Sequence, residues 1–295
     1  MKRLLSFLSL ALTLNAQALT IGAYNIRNFD YDQRARIPTN KAELEKILLS
    51  LNADVLSVEE IGNTAEFERF VANKLPGYAV TLSRCGGAHG QKVGILYKTS
   101  TVELLSFNED LRTSDPGGTE SCDAGSRPLG IGLFVVKATK QKFYGITAHL
   151  KSGNNAEDQA KRMKQYQIIR DVISELKSKT AVADYYVAGD FNTTNYITRG
   201  SDYKALTKVV SELGMVDLTQ NTACSAYWWG GTDDGRESPS LLDHIIVTPG
   251  LMKKQTQAKA ATHCQKVNCR EVPTRDLGVS YESVSDHCPV TATIQ

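Results

Sequence analysis

The sequence predicts an α/β fold, on three observations. Short apolar or alternating runs of strand length recur along the chain. Between several of them lie stretches with apolar residues three and four apart, the spacing of a buried helix face. One run after another also ends in a residue able to bind an ion or move a proton, and strand ends are where an α/β protein usually keeps its site. The stretch Val187-Ala188-Gly189-Asp190-Phe191-Asn192 shows this best. If Tyr185 to Ala188 is a buried strand, alternation sends Asp190 and Asn192 to the same face.

The chain has 295 residues, of which 41% are apolar, ample for a sizeable core. Residues 1–18 read as an export signal: Lys2 and Arg3, an apolar stretch from Leu4 to Leu14, then Ala16-Gln17-Ala18 with the small-x-small pattern of a cleavage site. The apolar stretch is too short to span a bilayer, so cleavage after Ala18 and a mature chain without a membrane anchor are expected.

Leu19 to Ile26 is a first expected strand, leading into Asn25-Ile26-Arg27-Asn28-Phe29. Asn40 and Glu43 have capping-box spacing ahead of the helical stripe Leu44, Ile47, Leu48, Leu51. Asp54 to Val58 is a second strand, ending at Glu59-Glu60. Thr64 is placed to cap a helix that Pro76-Gly77 stops. Strands follow at Tyr78–Leu82, Val93–Tyr97 and Val102–Phe107, then a polar, Gly-rich loop from Asn108 to Arg127. Leu129–Val136 and Phe143–Ala148 are two more strands, the second ending at His149. Met163, Tyr166, Ile169, Ile173 and Leu176 mark a long helix before the Gly189-Asp190-Phe191-Asn192 strand end. A helix from about Asp202 to Leu213 comes next. Leu241–Val247 is a strand bearing Asp243, and Ser285-Asp286-His287-Cys288-Pro289 leads into a last alternating strand. With no repeat, low-complexity tract or linker, residues 19–295 read as one domain.

Charge excludes one class of argument. The chain carries 34 Lys plus Arg against 32 Asp plus Glu, and loss of Lys2 and Arg3 with the signal leaves 32 of each. Nucleic-acid binding cannot rest on bulk charge, so an anionic substrate needs a local site. The six cysteines, Cys85, Cys122, Cys224, Cys264, Cys269 and Cys288, are an even set in an exported chain and suggest disulfides. No CxxC pair supports a zinc site. Cys85–Cys122, stapling two loops, is the one pairing expected by name.

Asn25, Glu60, His149, Asp190 with Asn192, Asp243, and Asp286 with His287 all fall at strand ends. Singly, Asn25 could open a turn, Glu60 could be a solvated charge and His149 a satisfied core histidine. Together they lack the Ser, Thr and Lys that unrelated turns would contribute. Metal-assisted attack on phosphate suits the set. Magnesium takes oxygen ligands, commonly one or two carboxylates, and Asn25, Glu60 and Asp286 could supply them. A His paired with a carboxylate can take a proton from water, which points to His287 with Asp243. Asp190 and Asn192 would orient the nucleophile and bond the phosphoryl oxygens.

Those motifs, Asn25-Ile26-Arg27-Asn28-Phe29, Glu59-Glu60-Ile61, Gly189-Asp190-Phe191-Asn192, Leu242-Asp243-His244-Ile245 and Ser285-Asp286-His287, in that order, resemble the endonuclease/exonuclease/phosphatase superfamily. Within it the first stretch, Ser126-Arg127-Pro128 and His149 are most similar to the deoxyribonuclease I branch. The resemblance implies a four-layer α/β/β/α sandwich of two mixed sheets flanked by helices. It implies cleavage of phosphodiesters with Mg2+, or with Ca2+ or Mn2+, by a monomeric, secreted or periplasmic enzyme on DNA with little sequence preference. It places Asn25, Glu60 and Asp286 at the metal, His149 and His287 at the acid–base positions with Asp243 beside His287, Asp190 and Asn192 at the scissile phosphate, and Arg127 on phosphate. Two departures stand out. Gly62 occupies the place of an arginine that enters the minor groove, and Gln91 the place of a glutamate that pairs with the first catalytic histidine. The alternatives are a phosphoesterase of the same superfamily acting on a phospholipid or inositol phosphate, and a binding or toxin subunit without catalysis. His89, His244, His263 and Lys151 are expected outside the site, and at least one of Trp228 and Trp229 beneath its loop.

Overall fold

The computed structural model describes residues 18–294 apart from 119, 124 and 253–255; the expected signal, residues 1–18, lies outside the described residues except for Ala18. Two six-stranded mixed sheets pack face to face. The first runs Lys259–Ala260, Val290–Ile294, Leu19–Phe29, Val55–Ile61, Lys92–Lys98, Tyr78–Leu82. The second runs Val216–Asp217, Asp243–Val247, Asp184–Asp190, Lys142–His149, Leu129–Val136, Val102–Asp110. In each, a parallel pair lies at the centre, Leu19–Phe29 with Val55–Ile61 and Lys142–His149 with Asp184–Asp190.

Alternation along these strands assigns most of their residues to a layer. Ile21 and Ala23 join Val55, Phe134, Phe143, Tyr186, Ala188 and Ile245 in the core between the sheets. Tyr24 and Ile26 face the opposite way, onto Leu44, Ile47, Phe67 and Phe70 of the helices Lys41–Leu51 and Thr64–Lys74. In the second sheet Tyr185 and Val187 face Ile169, Ile173 and Leu206 of the helices Ala156–Lys179 and Ser201–Glu212. The result is the expected helix–sheet–sheet–helix stack.

Local sequence accounts for most boundaries. The Asn40 side chain accepts from the Glu43 N–H, the cap that its spacing predicts. The next helix is capped one residue earlier than expected: Asn63, not Thr64, accepts from the Glu66 N–H, since an Asn carbonyl is at least as good a cap as a threonine hydroxyl. All six cysteines are paired, as Cys85–Cys122, Cys224–Cys269 and Cys264–Cys288. Among the described residues no helix is long and apolar enough to cross a membrane.

His244 lies on the helix side of its strand, one residue out of phase with Asp243. It bonds Asp217 Oδ2 at 3.0 Å through Nδ1 and Thr193 Oγ1 at 2.9 Å through Nε2. Burial alone would raise the Asp217 carboxyl, but His244 and the donors from Thr219 outweigh it and hold the group below the usual carboxylate range. A carboxyl depressed by folding contributes stability above its unfolded value of about 4 and loses it as pH falls through the lower folded value. Asp217→Asn is expected to cost about 3 kcal/mol in urea denaturation at pH 7, with the gap to wild type closing as pH falls below about 4, the unfolded carboxyl value. An unchanged gap at low pH would show that the charge of the pair is not what stabilises the fold.

Candidate active site

The site forms where the apolar layer between the sheets runs out. Asn25 continues the inter-sheet face of Ile21 and Ala23, and Asp190 that of Tyr186 and Ala188. Asp243 and His149 end the same face on the neighbouring strands. Four polar side chains from both sheets are thus driven into one place by strand phase alone.

Asp190 is the hub. Its Oδ1 accepts the Asn192 N–H at 2.8 Å. Its Oδ2 receives Asn25 Nδ2 at 3.1 Å and lies 3.3 Å from His149 Nε2 and 3.7 Å from His287 Nε2. Burial raises its carboxyl to about 6, against the opposing pull of His287. The other His287 nitrogen, Nδ1, is 2.9 Å from Asp243 Oδ2, so the expected dyad is present. Burial disfavours the charged imidazole, yet the Asp243 and Asp190 carboxylates overcome it and lift His287 well above the ordinary histidine value.

On the opposite wall, Arg127 Nη2 lies 2.9 Å from His149 Nε2. A guanidinium only donates, so Nε2 accepts and the ring proton sits on Nδ1, which is buried without a partner. Burial and then Arg127 push His149 well below the ordinary value, keeping it neutral. Gln91 does not bond His149. Its Oε1 takes Arg127 Nη2 and its Nε2 donates to Asn28 Oδ1 at 2.6 Å, so the glutamine orients the arginine instead of the imidazole.

Three residues reach their places by leaving regular strand geometry. Glu60 has φ +60° and Asn192 φ +51°, both left-handed and uncommon for side-chain-bearing residues. The turn re-aims Glu60 to the site, where Oε1 takes Asn25 Nδ2 at 3.1 Å and Oε2 the Asn28 N–H at 3.1 Å. Asn192 lies beyond its strand, which ends at Asp190. Its amide donates to Leu150 O at 3.1 Å, and the turn, not alternation, sets its direction. The third, Gly189, comes just before Asp190 at φ +143°, where a Cβ would sit 2.0 Å from Ala148 O; no other residue fits there.

The three residues read as metal ligands are not one group of carboxylates. Glu60, His149 and Asp190 converge within 4.8 Å, as do Asp190, Asp243 and His287, and Asp286 belongs to neither set. Asn25 turns its amide nitrogen to Glu60 and Asp190 and its oxygen to the Arg27 N–H at 2.9 Å. Asp286 is half-buried beside this cluster, tethered because Ser285 Oγ donates to Asn25 O at 2.7 Å. Sequence reasoning missed Ser225, whose hydroxyl donates to Asp243 Oδ2 at 2.7 Å and accepts the Asp243 N–H at 2.9 Å; no spacing signal links the two. Trp228 and Trp229 are both exposed, at 42% and 52%, because they lead into the glycine turn Gly230-Gly231 rather than fold under it. Lys151 pairs with Asp158 at 2.8 Å. His89 is exposed. His263 is buried, 3.1 Å from Ser280 Oγ through Nδ1 and 3.3 Å from Asp286 O through Nε2.

Solved structures share this architecture. An endonuclease/exonuclease/phosphatase from Bacteroides vulgatus is 19% identical over 95% of this chain and 99% of its own, with a TM-score of 0.65. D. rerio TDP2, complexed with a single-strand DNA product, is 18% identical over 95% of this chain and all of its own, with a TM-score of 0.63. A Bacteroides thetaiotaomicron mannosyl-6-phosphatase is 17% identical over 94% of this chain and all of its own, with a TM-score of 0.62. At such identities the likeness is one of fold. No curated protein matches the chain. The model of the endonuclease/exonuclease/phosphatase family matches residues 22–287, which takes in every residue of the cluster around Asp190, and the chain belongs to that family.

Proposed function

We propose that the protein is an exported, divalent-metal-dependent phosphodiesterase that cleaves DNA with little sequence preference. The observation that carries the reading is the convergence of Asn25, His149 and His287 on Asp190 Oδ2, with Asp243 behind His287. Three disulfides suit an oxidising compartment.

The residues fit a hard cation. Glu60 brings a carboxylate to the mouth of the site and Asp286 stands beside it, carboxylates of the kind that suit Mg2+, Ca2+ or Mn2+. Asn25 turns its amide nitrogen, not its oxygen, towards Glu60 and would ligate only with the amide reversed. Bound there, the ion would polarise a phosphoryl oxygen and offset charge on the leaving oxygen. The chain's own groups do the rest. His287 Nε2, once free of its proton, takes one from the attacking water, and Asp243 stabilises the imidazolium that results. Asp190 holds the water's other side. Charge growing on the phosphoryl oxygens meets Arg127 and Asn192, donors already fixed in place by Gln91 and Leu150. His149, held neutral, serves this wall as a hydrogen-bonding group.

Gly62 favours single-stranded or small phosphoester substrates as the second reading. A Cβ there would lie 2.8 Å from Phe29 O, so the backbone leaves no room for a groove-reading side chain at that position.

Incubation with duplex plasmid, single-stranded DNA, RNA, a lipid phosphodiester and a sugar monophosphate, each with Mg2+ or EDTA, separates these. Metal-dependent DNA cleavage is expected, and hydrolysis of the lipid or sugar phosphate alone would overturn the nuclease reading. His287→Ala should lower kcat by about 10²–10⁴-fold; near-normal turnover would remove it as the base. Asn192→Ala should slow turnover about 10²-fold while the Mg2+ concentration for half-maximal rate stays near wild type. A large shift in that concentration would place Asn192 on the metal instead.

A further inference from the structure

The His287–Asp243 pair is supported by two chain segments that contribute little else to the main sheets. Ser225 bonds Asp243, its carbonyl accepts the Cys288 N–H at 2.7 Å, and Ala226 bridges His287. The Tyr227 N–H then donates to Asp286 O at 3.0 Å. The Cys224–Ala226 and Asp286–Cys288 segments therefore run side by side, and their register sets where His287 meets Asp243.

Both segments are bonded covalently to one short piece of chain. Cys224, one residue before Ser225, pairs with Cys269, and Cys288, one residue after His287, pairs with Cys264. The Cys264 and Cys269 ends are themselves joined, since the Cys269 N–H donates to Cys264 O at 3.0 Å. Cys224, Cys264 and Cys288 are buried with Tyr227, Val267 and Leu277 in a small core separate from the three large ones. This core is too small to hold two segments in register unaided, because its few apolar side chains must offset the ordering of long loops. A cross-link removes that freedom.

We propose that the chain segment from Cys264 to Cys269 is a covalently attached positioning clamp for the His287–Asp243 pair, with the disulfides Cys224–Cys269 and Cys264–Cys288 as its two jaws. Turnover, rather than substrate binding, then depends on both bonds. The inference rests on the catalytic reading of that pair, but its geometric part can be tested without activity.

The test uses the full chain with Cys264→Ala/Cys288→Ala, and separately Cys224→Ala/Cys269→Ala. A proton on His287 Nδ1, 2.9 Å from Asp243 Oδ2, is expected to give a downfield resonance in the wild type, assignable by its loss in Asp243→Ala. In either cysteine pair variant that resonance is expected to broaden or vanish while the remaining spectrum stays dispersed. On the substrate the enzyme cleaves, kcat is expected to fall about 10–100-fold, the scale of a small misplacement of a catalytic group, with KM within about threefold. In an Asp243→Ala background the same cysteine change should cost less than about twofold, because the pair it positions is already gone. Cys85→Ala/Cys122→Ala should cost the same in both backgrounds. Should a variant fail to fold, the folded wild type is reduced stepwise with a phosphine, the opened bonds are mapped by alkylation, and the resonance and rate are read on that material. A retained resonance, or a kcat loss that is additive with Asp243→Ala, would overturn the clamp. If the protein cleaves no phosphoester at all, the resonance still decides the clamp independently of the proposed function.

Discussion

The site rests on the cost of burying carboxylates at the end of an apolar layer. Asp190 and Asp243 are 2% and 0% exposed, and an unpaired buried charge is among the most expensive groups a fold can hold. Three neighbours of Asp190 answer that cost. Asn25 and the Asn192 N–H donate to it, and His287 lies between the two acids, which lift it well above the ordinary histidine value. The same contacts fix the geometry that the proposed chemistry uses. Stability and function are therefore not separable here: loosening a partner of Asp190 both exposes an unsatisfied acid and misplaces a reacting group.

Strand phase made much of this legible before any coordinates. Asn25, His149, Asp190 and Asp243 lie on runs whose alternation is strong, and a two-residue period fixes which face each takes. It also placed His244 correctly outside the site. The residues that sequence placed less well sit where the period breaks. Glu60 should face the helices by simple alternation, and only its left-handed backbone returns it to the site. Asn192 belongs to a turn, where side-chain direction depends on φ rather than on parity. Ser225 and the Cys224–Cys269 and Cys264–Cys288 pairings are contacts between segments of irregular chain, which carry no period at all. The exposed Trp228 and Trp229 belong to the same class, because a glycine turn decides their direction.

Gly189 shows how tightly these breaks are specified. It brings the Asp184–Asp190 strand against Ala148 O and Glu59 Oε1, closer than any side chain permits. That approach carries Asp190 across to Asn25 on the other sheet. A Gly189→Ala change would force the Asp184–Asp190 strand away from Ala148 O on its neighbour in the same sheet and crowd Glu59 Oε1 from the other, beside the carboxylate that both sheets contact.

The consecutive acids Glu59 and Glu60 complete the logic. Glu59 keeps the strand phase and points into the layer between the sheets, bonded by Thr147 Oγ1 at 3.2 Å, with its second oxygen unpartnered. Burial, then the nearby Asp243 and Asp190, lift its carboxyl well above the usual range, so it fills the space behind the site as a neutral acid. Glu60, turned by its left-handed backbone, keeps a side chain 16% exposed at the mouth. Had both residues followed the strand, Glu60 would face the helices and leave the mouth of the site without its carboxylate. One backbone reversal thus divides two identical side chains into a neutral packing group and an ion-facing one, and it does so at the strand end where the two sheets meet.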